Sequence, residues 1–400
     1  MIETTQLPNG VRVITRQLPQ RRSAALGVWL RNGTRHEAVH ESGYAHLLEH
    51  LLFKGTTELS AAELARRFDA MGGQVNAFTG RELTAYHGLV PAGDVPELLR
   101  LFIAMLRRPR FTDADLAVEK QVVFQEMAMV EDSPEEALEE LGIARAWRDH
   151  PMGRPVLGER EQLALADAAG VRGYLDSILR GERLYIVAVG EVDHAALVEA
   201  AQALADLPIA AAVGAQPPVF YPGHYIEEGG GEQTPLLWLL PCPTPTDPDY
   251  YAAVMANHLL GGGGSSRLFQ ALRENSGLVY GIQSRLEPYS DTGLWLIQTA
   301  CDPRQADRCR HAVEDTVAEL LAKDVSRDEL EMTRRYVEAG LLIEDDDPEA
   351  SMERLARESI YLQNHPSLEE RLARLREVGP AQLRAALARA WEKQVYMSAS

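Results

Sequence analysis

Two histidines and a glutamate lie close together in the run Gly43, Tyr44, Ala45, His46, Leu47, Leu48, Glu49, His50, Leu51, Leu52, Phe53, Lys54. Residues at i, i+3 and i+4 are neighbours on an α-helix, so His46 and His50 can aim both imidazoles at one point with Glu49 beside it. That is the donor set of a zinc site carrying its own general base. Leu47, Leu48, Leu51, Leu52 and Phe53 would bury such a helix, and a buried polar cluster costs about 2–7 kcal/mol per group unless something satisfies it. A divalent cation would satisfy all three side chains. The order HxxEH, the reverse of HExxH, belongs among zinc-peptidase motifs. The lesser alternative for the motif alone is a pair of hydrogen-bonded core histidines with Glu49 paired to an arginine.

A zinc site of this kind needs a third ligand, sought as a carboxylate where packing alone would want a hydrophobe. Thr112 is a plausible N-cap for a helix running to Val130, with Leu116, Val118, Val122, Val123, Phe124, Met127, Met129 and Val130 spread round it. The row Leu116, Glu119, Val123, Glu126, Val130 carries two carboxylates seven residues apart on a face expected to be buried. Glu126 is the natural ligand. Glu119 is the natural partner for a ligand imidazole, since metal-bound histidines usually donate their other ring N–H to a carboxylate or carbonyl. The alternative is a solvated, charged helix face.

The elements that must position these groups read as α+β. Strand-like alternation with Asn9–Gly10 and Asn32–Gly33 turns precedes the metal helix. Ser60 with Glu63 forms a capping box for a helix through Leu64, Phe68 and Met71 that Gly72 and Gly73 stop. Residues 74–79 and 83–90 then form a hairpin. The chain also contains a copy of itself at an offset of 214: Asp115, Leu116 and the run Glu131 to Glu135 align without gaps on Glu329, Leu330 and the run Asp345 to Glu349. The expected organisation is two homologous αβ-sandwich-like halves, 1–207 and 224–400, each a mostly antiparallel sheet with helices packed on it, joined by a proline-rich linker over 208–223. Glu119 and Glu126 fall on Thr333 and Gly340 at that offset, and the second half has no HxxEH, so only the first can hold the metal. His258 lacks partners at the required spacing and reads as a core or loop histidine.

Taken together, these phrases resemble the pitrilysin family of zinc peptidases, which includes insulin-degrading enzyme and the mitochondrial processing peptidase. In that family a glutamate ligand follows HxxEH by about 76 residues with another glutamate seven before it; His50 to Glu126 is 76 and Glu119 to Glu126 is seven. Gly43, then Phe53, Lys54, Gly55 and Thr56, then Gly72, Gly73, Asn76, Ala77, Thr79, Glu82, Thr84 and Tyr86 are similar to family phrases, as are His150, Pro151, Gly153, Pro155 and Gly158. The resemblance implies Zn²⁺ on His46, His50 and Glu126, a fourth position open to water, and Glu49 as general base. It implies that residues 74–79 form an edge strand to which an extended peptide substrate adds itself, with Asn76 and Ala77 at the scissile bond. Arg273 and Tyr280, seven apart, are similar to an arginine and tyrosine that steady the attacked carbonyl oxygen from a different homologous domain. In chains of this length it implies a dimer of two-domain subunits, in which Arg273 and Tyr280 would act in trans; the alternative is a heterodimer with a noncatalytic homologue, in which the partner would supply the arginine and tyrosine. The implied activity is that of an endopeptidase of unfolded peptides or precursor leaders, with a noncatalytic substrate-binding subunit as the rival.

Composition narrows the field. A formal charge of −19 over 400 residues opposes nucleic-acid and anionic-membrane binding. No apolar run is long enough to span a bilayer, and no basic start with an apolar core follows Met1, so a cytoplasmic location is expected. Cys242, Cys301 and Cys309 are odd in number and unclustered, which disfavours a disulfide framework. The glycines 261–264 lack the following lysine of a phosphate-binding loop, and Ser265 and Ser266 have no catalytic partner motif.

Overall fold

Gly10, held at φ 97°, turns β1 (Ile2–Gln6) back on β2 (Arg12–Gln17) as an antiparallel pair. The computed structural model describes residues 1–209, 216–229 and 231–399, so positions 210–215 of the expected linker lie outside the described residues. β3 (Ser23–Leu30) reads as a nearly continuous apolar run because both its faces are covered: Ala24, Leu26, Val28 and Leu30 enter one core, Ala25 and Trp29 another. Asn32 and Gly33 do not close a hairpin; they lead into short 3₁₀ turns, and β3 pairs instead with strands distant in sequence.

β3 is joined in its sheet by β4 (Gln74–Thr79), β5 (Thr84–Pro91) and β6 (Leu184–Gly190) in the order β1-β2-β6-β3-β5-β4. Among the described residues of this sheet, only the β2–β6 pair is parallel. The second sheet comprises β7 (Gly223–Glu227), β8 (Thr234–Pro241), β9 (Val279–Pro288), β10 (Gly293–Cys301) and β11 (Val395–Ala399), ordered β7-β11-β8-β10-β9, again with one parallel pair, β7–β11. Strand for strand, β2 to β6 and β7 to β11 share one topology. The fold is α+β, mostly antiparallel, with helices on the sheets.

The sheets belong to two compact units, one formed by 1–128, 154–215 and 344–365, the other by 129–153, 216–343 and 366–400. These differ from the contiguous stretches 1–207 and 224–400 by a reciprocal exchange of equivalent segments. The helix Pro134–Ala146 packs on β8 and β11, while its counterpart 214 residues later, Pro348–Tyr361, packs on β3 and β6. Both begin at a proline in the first turn, where the missing N–H costs nothing. Among the described residues, no helix is long and apolar enough to cross a membrane.

Candidate metal centre

The helix carrying the motif, α1 (Tyr44–Leu52), begins at Gly43, whose φ of 91° is left-handed. No side chain at the N-cap serves its first turn. The carboxylate of Glu37 does, accepting from the N–H groups of Gly43 (3.0 Å) and Ala45 (2.7 Å). Burial pushes the Glu37 carboxyl up to about 7 despite those two hydrogen bonds. Gly158 crosses Gly43 so closely that a Cβ on Gly158 would fall 2.5 Å from the Gly43 nitrogen. Arg154 ties the same segment down by donating to the Glu37 carbonyl oxygen at 2.8 Å. These contacts give Glu37, Gly43, Arg154 and Gly158 a physical role in placing the helix.

Leu47, Leu48, Leu51 and Leu52 bury one side of α1, leaving His46, Glu49 and His50 on the other. α2 (Asp113–Glu131) brings Glu126 opposite. His46 Nε2 lies 3.6 Å from one Glu126 oxygen and His50 Nε2 lies 3.7 Å from the other. These separations are too long for hydrogen bonds. They are close to the ~3.4 Å edge of a tetrahedron built on metal–donor bonds of about 2.1 Å. One donor atom from each of His46, His50 and Glu126 lies within 4.8 Å of the others, and among the described residues no other His, Cys, Asp or Glu trio is so arranged. Burial, and next the His50 ring, lower the His46 pKa to about 4, so this imidazole is neutral at pH 7 as a ligand must be. The donor chemistry and spacing fit Zn²⁺.

Glu119 is almost fully buried on α2 two turns before Glu126, and takes His50 Nδ1 at 3.0 Å on one oxygen. Its other oxygen pairs with Lys54 Nζ at 2.5 Å. Sequence reasoning gave Lys54 no role, although its i+4 spacing from His50 placed it on the same side of the chain. His46 differs: its Nδ1 is buried and has no hydrogen-bond partner among the described residues.

Glu49 is half-buried beside the histidines and accepts from Thr79 Oγ1 at 2.6 Å. Burial raises its pKa while the Thr79 hydroxyl opposes the rise. Thr79 ends β4, so the glutamate is braced by the strand at the edge of the sheet. Along that strand Val75 and Ala77 pack toward the core on the α1 side, whereas Phe78 packs in the opposite core against Trp29. By alternation, Asn76 lies on the face away from the donors, while Ala77 shares the face of Thr79. Arg273 and Tyr280 come together in the other unit. Arg273, in the π-helical turn Phe269–Glu274, sits 6.0 Å from the Tyr280 ring centroid at the start of β9, pairs with Glu274, and Tyr280 is 89% exposed. His258 stacks on Tyr336 with ring centroids 3.9 Å apart.

Fold and donors together define an α+β protein of two topologically matched units, one with a site suited to zinc. Residues 12–160 match the family described as Insulinase (Peptidase family M16), and residues 167–337 match the Peptidase M16 inactive domain. An uncharacterized zinc protease of Mycobacterium tuberculosis is 34% identical over 383 residues, covering 94% of this chain and 87% of the relative. The uncharacterized zinc protease YmxG of Bacillus subtilis is 30% identical over 379 residues, covering 94% and 93%. The chain belongs to peptidase family M16, which bears out the resemblance to pitrilysin-type peptidases. Two solved structures share the fold: a peptidase M16 inactive domain from Pseudomonas fluorescens (TM-score 0.91, 21% identity, covering 100% of this chain and 97% of that one) and a protease from Helicobacter pylori (TM-score 0.92, 19%, covering 100% and 99%).

Proposed function

We propose that the chain is a zinc-dependent endopeptidase acting on extended, unfolded peptides or precursor leaders. The observation that carries this reading is the convergence of His46, His50 and Glu126 beside a half-buried Glu49. His46, His50 and Glu126 hold the ion, and Glu119 orients His50 and raises its basicity. Bound zinc supplies Lewis acidity, which polarises the scissile carbonyl and lowers the pKa of water in such sites to roughly 7. Glu49 takes the proton of the attacking water and returns it to the departing amine, with Thr79 fixing the carboxylate. The peptide adds to the open edge of β4, whose main chain binds extended substrates irrespective of side chain. Ala77 then faces the reacting bond from the donor side, and Asn76 borders the peptide from the other. In a homodimer Arg273 and Tyr280 of the second copy stabilise the oxyanion by charge and hydrogen bond; in a heterodimer the partner chain supplies the equivalent arginine and tyrosine. The active form is a dimer, of this chain with itself or with a noncatalytic homologue, and its place of action is the cytoplasm.

Zinc content measured together with cleavage of a quenched peptide library tests the reading. Wild type should carry one zinc per chain and cleave, while Glu49→Gln keeps zinc and loses cleavage by a factor of about 10² or more. Equal cleavage by both removes Glu49 as the base. Native mass measurement separates the homodimer from an obligate heterodimer.

A further inference from the structure

β4 is the outermost strand of its sheet, and among the described residues its one strand neighbour is β5. A peptide added to its free edge must send alternate side chains to opposite faces of the sheet. Thr79 and its bond to Glu49 mark one face as the donor side. The other face carries Phe78 from β4 and His87 from β5, and His87 stands directly across from Asn76 in the ladder. The helix Pro348–Tyr361 lies over β3 and β6 on this face, and the space beside it is a cleft of about 520 Å³. Phe78 and His87 line its sheet side, and Asp347, Glu349, Glu353 and Arg357 line its helix side.

The charges in this cleft are unequally engaged. Asp347 caps the helix, accepting from the N–H groups of Glu349 (2.8 Å) and Ala350 (3.0 Å). Glu353 is paired with Arg357 at 2.8 Å. Among the described residues, Glu349 has only the His87 ring, at 3.9 Å, beyond hydrogen-bond reach. Burial holds the His87 imidazole below its ordinary pKa, so at pH 7 that ring is uncharged and leaves the carboxylate uncompensated. An aromatic surface ending in an uncompensated carboxylate suits a side chain with a long apolar stem and a cationic head.

We propose that this cleft is a second side-chain subsite, taking lysine or arginine from the substrate positions that alternate with those facing the metal donors. The subsite rests on the proposed addition of a peptide to β4. It makes peptide selection alternate near the cleft: basic residues are favoured at the far-face positions whose side chains reach it.

A lysine scan tests it. Quenched peptides of neutral sequence, each with one lysine moved along the chain, are cleaved by zinc-loaded wild type, Glu349→Gln and Glu349→Lys, with zinc content and thermal unfolding measured for each. Wild type should prefer lysine over alanine about five-fold at alternate positions, the scale of a partly exposed ion pair. Glu349→Gln should abolish the alternation, and Glu349→Lys should turn it into a preference for glutamate at the same positions. A wild type that cleaves without a period-two preference, or variants that keep it, overturn the subsite while leaving the peptidase reading standing. A wild type that cleaves no peptide removes the peptidase reading and the subsite with it.

Discussion

Replacing Glu119 by glutamine changes one oxygen to an amide nitrogen and removes one charge, at a side chain only 6% exposed. The wild-type carboxylate accepts from His50 Nδ1 at 3.0 Å and holds Lys54 Nζ at 2.5 Å. Glutamine has a single acceptor oxygen, so it can serve the imidazole or the ammonium, and its amide N–H groups then face the other donor. If the oxygen stays on His50, the neutral amide polarises the ring less and the ligand nitrogen is less basic. If it turns to Lys54, the ring loses its tether. Loss of such a partner typically costs about 10- to 100-fold in metal affinity, equivalent to about 1.4–2.7 kcal/mol. Competition against a fluorescent zinc chelator measures this directly, with thermal unfolding of the metal-free protein as the fold control. Lys54→Met provides the contrast. It leaves Glu119 bonded to His50 and should keep zinc affinity within a few-fold, while lowering stability by about 1–2 kcal/mol because a buried carboxylate loses its cation. Glu119→Gln binding zinc as tightly as wild type would refute the argument that Glu119 acts through His50.

Gly158→Ala should destabilise the fold by at least about 2 kcal/mol in urea unfolding, because its φ is 82° and the added Cβ meets the Gly43 backbone. Zinc should bind more weakly in the same variant, since the start of α1 is displaced. The Glu37 pKa, raised from 4.5 to about 7, favours the protonated folded state. Its stabilising effect is therefore complete below pH 4.5 and lost as pH rises through 7, about 3 kcal/mol in all. Glu37→Gln should remove that component, so the difference in stability between wild type and variant should change between pH 5 and 8. Thr79→Val deletes the hydroxyl that holds the Glu49 pKa down, and should move the acid limb of the kcat/KM profile to higher pH; Thr79→Ser should restore it.

Local periodicity made most of the candidate metal centre readable. His46, Glu49 and His50 share a helix face by spacing alone, and Glu119 and Glu126 stood out as acids in a row whose neighbours Leu116 and Val123 are buried. The same logic extended four residues further would have found Lys54. Other features depend on contacts remote in sequence. Glu37 lies between 3₁₀ turns with no repeating pattern, and only the folded chain shows its carboxylate on the first turn of α1. The offset of 214 disclosed two matched sets of strands, but not the exchange of Pro134–Ala146 for Pro348–Tyr361, because an apolar helix face does not name the sheet it covers. Asn32–Gly33 has the composition of a hairpin turn, yet β3 takes its partners from β5 and β6. The edge position of β4 likewise follows from sheet order rather than from the letters of the strand. The alternation within it, once that order is known, separates Asn76 from Ala77.

X-ray absorption at the zinc edge of the loaded protein reads the ligand set proposed for His46, His50 and Glu126. One zinc per chain is expected, with two imidazole nitrogens and a carboxylate oxygen at about 2.0–2.2 Å. One imidazole should disappear from the spectrum of His46→Ala or His50→Ala. A zinc shell without imidazole, or one unchanged in both variants, would contradict this ligand set.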